Sequence, residues 1–250
     1  MITHSRGKAR IGVLVPFTNT NLEADMALLR PDGVSVHFAR LGGYDVDEIP
    51  DASQMAGLGS ANIDDTLRML SGAKPDVIMY GCTSATLTHG PAFDTDLASK
   101  IARQSGAGTV TAAGALVAAL QTLEVTQIGF ASPYVARIND DAITFLAGSG
   151  IDTVRRSEVS EALDNYGQGE LTPQKVFDLG LAADHPDAQA VVLSCTDMRS
   201  VEIIDRLESE IGKPVITSNQ AMLFAAMQHL GHGYDKGFGQ LFQRLTKQKV

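Results

Sequence analysis

The sequence predicts an α/β protein built as two pseudo-symmetric parallel-sheet units with a cleft between them. Three observations carry that prediction. Short apolar runs alternate with stretches of helical periodicity along the chain. Three sequence blocks recur in the same order, offset by 106 to 117 residues. The composition combines 24 glycines with no tryptophan and 6% aromatics, which suits many tight strand-to-helix turns.

Each element has its own signal. Ile11–Val15 reads as a buried strand, and Thr20-Asn21-Leu22-Glu23 behind it as a capping box opening a helix. Val34–Ala39 is a second strand. Ile63, Leu67 and Leu70 recur at helix spacing ahead of a third strand, Val77–Tyr80, and Thr109–Thr111 is the fourth. The pattern then restarts with strands Gln127–Ala131 and Thr153–Arg155. Thr172-Pro173 reads as an N-cap followed by proline at the first helical position. Strand Ala190–Leu193 follows, then a helix carrying Ile204, Leu207 and Ile211, then strand Val215–Thr217. A final helix runs from Asn219 to His229. Strands that alternate with helices imply parallel sheets covered on both faces.

The repeat gives the organisation. Ile11-Gly-Val-Leu-Val-Pro-Phe17 aligns with Ile128-Gly-Phe-Ala-Ser-Pro-Tyr134. The block from Lys74 to Thr83 aligns with His185-Pro-Asp187 and Val191–Thr196. Thr109–Ala115 aligns with Val215–Ala221. Two flavodoxin-like units are therefore expected, with residues 113–217 as the second. Residues 1–112 form the first, completed by 218–250 if the last helix returns to it.

Composition excludes several function classes. The net charge is −9 and Lys and Arg are scattered, so no nucleic-acid footprint is expected. No apolar stretch approaches the ~18 residues of a membrane span. Met1 to Arg10 is polar and basic with no apolar run behind it, unlike a secretory signal. The two cysteines fit no C-x-x-C metal spacing. Phosphate-loop and dinucleotide fingerprints are missing, so no cofactor is expected. A cytoplasmic protein with reduced thiols follows.

The two cysteines, Cys82 and Cys195, occupy equivalent repeat positions, each in a Cys-Thr step just after a strand. In open parallel sheets, ligands bind beyond the carboxyl ends of strands. A thiol there, at a helix N-terminus, is expected to have its pKa lowered from ~8.5. The neighbouring backbone N–H groups suit a carboxylate or an oxyanion. Two facing copies supply an acid and a base on opposite sides of one small acid. A thiol-redox pair and a non-enzymatic small-acid binding protein are the competing classes.

These residues resemble the Asp/Glu racemase superfamily, in particular its maleate cis-trans isomerase branch, which includes arylmalonate decarboxylases. The resemblance rests on Val15-Pro-Phe-Thr-Asn-Thr20, Gly81-Cys-Thr-Ser-Ala85, Ser132-Pro-Tyr134, Asp164-Asn165 and Ser194-Cys-Thr-Asp-Met-Arg199. It implies that Cys82 adds as a thiolate to one alkene carbon of a cis-enedioate and that Cys195 handles the proton at the other. It also implies carboxylate binding by Asn19, Tyr134 and Asn165, with backbone N–H groups around Thr83, Ser84, Thr196 and Asp197. A small dicarboxylic acid is the implied substrate, and a homo-oligomer, dimer or larger, the implied assembly. Other roles stay open: Asn19 suits a helix cap, Asn165 a turn, His89 a cap or a partner of Cys82, and Arg199 a helix surface. Asp197 suits an anion site only if it points away or caps a helix. Phe17-Thr18 departs from the small serines of the isomerases, which puts the substrate in question. A racemase of an amino acid or hydantoin is the nearest alternative chemistry. A malonate decarboxylase is disfavoured, because that chemistry as known in the superfamily keeps only the second cysteine.

Overall fold

A computed structural model of the protein describes residues 6–42, 57 and 61–245. The opening five residues of the Met1–Arg10 segment lie outside the described residues, and the next five already belong to the first strand.

Two sheets of identical topology account for the repeat. The first holds β1 (Arg6–Pro16), β2 (Gly33–Leu41), β3 (Val77–Tyr80) and β4 (Gly108–Thr111) in the order β2-β1-β3-β4. The second holds β5 (Gln127–Ala131), β6 (Asp152–Ser157), β7 (Ala190–Leu193) and β8 (Val215–Thr217) in the order β6-β5-β7-β8. Every pairing is parallel. The inner strands β3 and β7 are buried at every position, as Val-Ile-Met-Tyr and Ala-Val-Val-Leu require when helices cover both faces. β1 starts earlier than expected because β2 offers a partner: Arg6 pairs with Gly33 and Ala9 with Val34 across a bulge.

The first sheet is covered by α1 (Leu22–Leu29), α2 (Asp64–Ser71), the five-residue α3 (Thr83–Leu87) and α4 (Gly90–Ser105). Leu67 and Leu70 supply the buried face of α2. Around the second sheet lie α6 (Ala136–Gly148), α7 (Gly167–Glu170), α8 (Pro173–Ala183) and α9 (Ile204–Ile211). α8 has the expected start: the Thr172 hydroxyl accepts from the Lys175 N–H, with Pro173 at the first position. The expected Thr20–Glu23 capping box does not form. The Thr20 side chain does not cap α1, and Glu23 turns outward to pair with Arg40 at 2.6 Å.

The remaining two helices occupy equivalent places, α5 (Ala112–Thr122) after β4 and α10 (Ser218–Leu230) after β8. They pack against each other, and the small residues of Ala112-Ala-Gly-Ala-Leu-Val-Ala-Ala119 allow a close approach. α5 reaches β8, while α10 lies against α1, β3 and β4. Ten consecutive residues of α10, Ser218 to Met227, are buried, as this central position demands. Its start carries a complete capping box between Thr217 and Gln220.

Gly129 in β5 shows how tightly α8 sits on the second sheet. A Cβ there would come within 2.0 Å of the Ala183 carbonyl oxygen, a backbone atom that has no rotamer to yield. Gly129→Ala is expected to destabilise the protein by about 3 kcal/mol or more. Thermal denaturation checks this, and an unchanged Tm would contradict the packing described.

Candidate active site

β1 and β3 are the strands from which the chain departs in opposite directions, and β5 and β7 are their counterparts. Ligand clefts in open parallel sheets form outside such switch points. Here the carboxyl ends of all four strands feed one pocket. Asn19 follows β1, Cys82 and Ser84 follow β3, Tyr134 follows β5, and Cys195, Thr196 and Asp197 follow β7. Gly81 lets the chain leave β3 toward the pocket, since a Cβ there would lie 2.4 Å from a Leu22 methyl and 3.1 Å from the Leu14 carbonyl. Both cysteines are buried free thiols.

The expected lowering of the thiol pKa is not found. Burial pushes both thiols up, because desolvation disfavours the charged form. Cys82 heads a helix of only five residues, and the hydrogen bonds from the Ala85 N–H and Ser84 offset only part of the cost. No α-helix starts at Cys195; a turn follows it, and a 3-10 segment begins only at Val201. The Asp197 N–H donates to Cys195 Sγ at 3.3 Å, and the Tyr134 hydroxyl lies 3.2 Å from the same sulfur. Even so, burial, reinforced by the Asp197 charge, raises Cys195 to about 12. Cys195 therefore holds its proton at neutral pH, and so does the Tyr134 hydroxyl, raised well above 10.0 chiefly by burial.

Asp197 does not face an anion. Its Oδ1 accepts from the Thr20 and Asn21 N–H groups at 2.8 and 3.0 Å and from Asn21 Nδ2 at 3.2 Å. It thus holds, from the other half of the molecule, the two residues that lead into α1, near the positive end of the helix dipole. Asn19 shares that task through Oδ1, which accepts from the Asn21 and Leu22 N–H groups. Asn19 Nδ2 donates to Thr196 Oγ1 at 3.1 Å, leaving one hydrogen for another acceptor. Thr196 in turn donates to the Gly81 carbonyl at 2.9 Å. The two cysteine loops are stitched together one residue from each sulfur.

Some expected site residues lie elsewhere. The Thr83 hydroxyl donates to Ser218 at 3.0 Å and does not line the pocket, because α10 crosses directly behind α3. Asn165 is buried but is not part of this pocket wall. His89 stacks on Phe93 and contacts the Ala85 carbonyl through Nδ1, away from Cys82. Arg199 pairs with Glu202 at the surface. Phe17 is not in the wall, whereas Thr18 is. The sequence reading missed Pro16, Thr18 and Gln168 as wall residues. Gln168 sits in the four-residue α7 between two glycines, where no periodicity marks an inward face. The wall encloses a space of about 20 Å³, near the limit for a single water.

A second buried carboxylate supports the same loop. Asn219 on α10 donates from Nδ2 to Asp25 at 2.7 Å and to the Thr196 carbonyl at 3.0 Å. Burial pushes Asp25 up to about 7 and Asp197 up to about 6, from 3.8. Raised carboxyls bind protons more tightly in the folded state. Their contribution is complete below pH 4 and is lost as pH rises through 6 and 7. Stability is expected to fall by roughly 2–4 kcal/mol between pH 4 and 8 on account of Asp25 alone. Asp25→Asn should flatten that fall, read from urea denaturation at several pH values; an unchanged pH slope would contradict it.

Comparison with known proteins agrees with this architecture. The arylmalonate decarboxylase family model matches residues 11–242. A maleate isomerase of Geobacillus stearothermophilus is 28% identical over 235 residues, covering 88% of this chain and 91% of that protein. An arylmalonate decarboxylase of Bordetella bronchiseptica is 25% identical over 247 residues, covering 93% and 95%. The solved maleate cis-trans isomerase of Nocardia farcinica, a cysteine-to-serine variant with a covalently bound succinylcysteine intermediate, superposes with a TM-score of 0.87. It is 24% identical, over 94% of this chain and 98% of that one. The family match spans all eight strands from within β1 onward and both cysteine loops, and the chain belongs to the arylmalonate decarboxylase family.

Proposed function

We propose that the protein is a cis-trans isomerase of maleate or a closely related enedioate, working through Cys82 and Cys195. One observation carries this reading: two buried thiols from equivalent strand ends line a single pocket, and one of them is bonded to a tyrosine hydroxyl. The maleate isomerases among its relatives support it, as does the succinylcysteine of the Nocardia enzyme.

The chemistry balances without a cofactor. Cys82 ionises, giving its proton to solvent, and its thiolate adds to one alkene carbon. The π electrons move to the neighbouring carbon, stabilised as an enediolate by the adjacent carboxylate. The Cys195 thiol delivers a proton to that carbon, which suits a sulfur held protonated beside Tyr134. The central bond is now single and rotates. Cys195 takes the proton back, the double bond re-forms in the trans sense, and the Cys82 thiolate leaves. The spare hydrogen on Asn19, the Ser84 hydroxyl and nearby main-chain N–H groups are the proposed carboxylate ligands. Asn165 joins them if opening of the halves turns it inward. Thr83 contributes through its main chain only.

The same reading treats residues 1–112 with 218–250 as one unit and 113–217 as the other. It also extends to a homo-oligomer in the cytoplasm. Light scattering on a size-exclusion column tests the assembly: a mass of 26.5 kDa alone would remove it.

The activity has a direct assay. Wild type incubated with maleate should form fumarate, followed by proton NMR. Cys82→Ala and Cys195→Ala should each lose at least about 1,000-fold in rate. Because Cys82 ionises above its ordinary value, kcat/KM should still be rising at pH 9. Exchange of a substrate C–H in heavy water without isomerisation would point to a racemase instead. Turnover surviving Cys82→Ala would rule out covalent addition.

A further inference from the structure

The pocket contains two polar side chains that neither the cysteine chemistry nor the fold employs. Thr18 and Gln168 are 6% and 7% exposed, and both line the wall beside the thiols. Among the described residues, neither the Thr18 hydroxyl nor the Gln168 amide makes a hydrogen bond. Neither is sealed from the pocket space in the way that fully enclosed, unbonded polar atoms are. Burying such groups without partners costs free energy, so in a ligand site they read as donors and acceptors reserved for the ligand. Every other polar side chain of this wall with a role so far is engaged with a sulfur, a helix start or the opposite loop.

Thr18 and Gln168 share a corner. Thr18 lies two residues before Thr20, whose N–H binds Asp197. Gln168 precedes Gly169, whose carbonyl accepts from Asn21 Nδ2, and that amide also binds Asp197. A Cβ on Gly169 would stand 3.2 Å from Asp197 Oδ1. The corner is therefore biased negative. Among the described residues, no lysine, arginine or histidine lines the pocket. A third carboxylate would meet repulsion and no counter-charge there. An amide and a hydroxyl, each able to donate and accept, match an uncharged group that does the same.

We infer that Thr18 and Gln168 form a third polar subsite and that the substrate is a cis-enedioate bearing an uncharged, hydrogen-bonding substituent such as a hydroxyl. This inference rests on the enedioate reading of the site. It makes plain maleate a partial substrate that leaves the corner unfilled.

Three probes that differ in one substituent separate the possibilities: methylmaleate, 2-(hydroxymethyl)maleate and cis-aconitate, which carry a methyl, a hydroxymethyl and a carboxymethyl group. Calorimetric titration of Cys82→Ser protein reads binding without turnover. 2-(Hydroxymethyl)maleate should bind about tenfold more tightly than methylmaleate, with cis-aconitate the weakest. In Gln168→Leu and Thr18→Val, each combined with Cys82→Ser, that preference should shrink toward unity. The kcat/KM values of proteins that retain Cys82 should follow the same order. Equal binding of the first two probes, no binding of any, tightest binding of cis-aconitate, or a preference that survives both substitutions would overturn the subsite. If the preference holds but no probe is isomerised, the isomerase reading fails and the subsite stands. If maleate is isomerised without any preference, the reverse is true.

Discussion

The carboxylate of Asp197 at the start of α1 is the interaction on which the rest of the site depends. It belongs to the loop that carries Cys195, yet it binds the segment that leads from β1 into α1, which begins at Leu22. Placing it there satisfies the Thr20 and Asn21 N–H groups ahead of α1 and ties up the carboxylate in hydrogen bonds. Its neighbour Thr196 binds both Asn19 and the Gly81 carbonyl, so the spacing of the two cysteine loops is set by hydrogen bonds in the interior. Few of these groups could be exchanged for apolar ones without leaving a buried partner unsatisfied.

The same burial sets the acid–base character of the site. Both thiols are buried in the pocket wall, and both are harder to ionise than a free cysteine. For Cys195 this matches a proton donor. For Cys82, the nucleophile of the proposed mechanism, it raises the cost of forming the thiolate. The Ser84 hydroxyl, 3.7 Å from Cys82 Sγ, and the Ala85 N–H are already in place to support the thiolate.

How much of this was legible in the sequence follows from the range of the forces involved. The inner strands could be read because double-sided burial leaves uninterrupted apolar runs such as Val77–Tyr80 and Ala190–Leu193. Thr172-Pro173 could be read because an N-cap is a local contact. The paired cysteines could be read because the repeat put them in register. At the start of α1 the Asn19 cap could be read, being local, but the Asp197 contact could not, since the Thr20 N–H binds a residue 177 positions away. The direction of the thiol shifts could not either, because desolvation sums over the whole surrounding fold whereas the sequence shows only the adjacent turn. Gln168 was invisible for a third reason: α7 is one turn long and has no period from which to infer its inner face.

The exchange of α5 and α10 between the sheets bears on how the protein is made. β3 and β4 appear early in synthesis, but one of the helices lying against them, α10, ends at Leu230. A nascent chain that has completed the first sheet still exposes part of its apolar surface until residues 218–230 have been made as well. The first unit therefore cannot finish folding before α10 is available, and a truncated chain ending near residue 217 would present that face to chaperones or to other chains. A repeat that looks like two independent modules is in this respect a single unit of assembly.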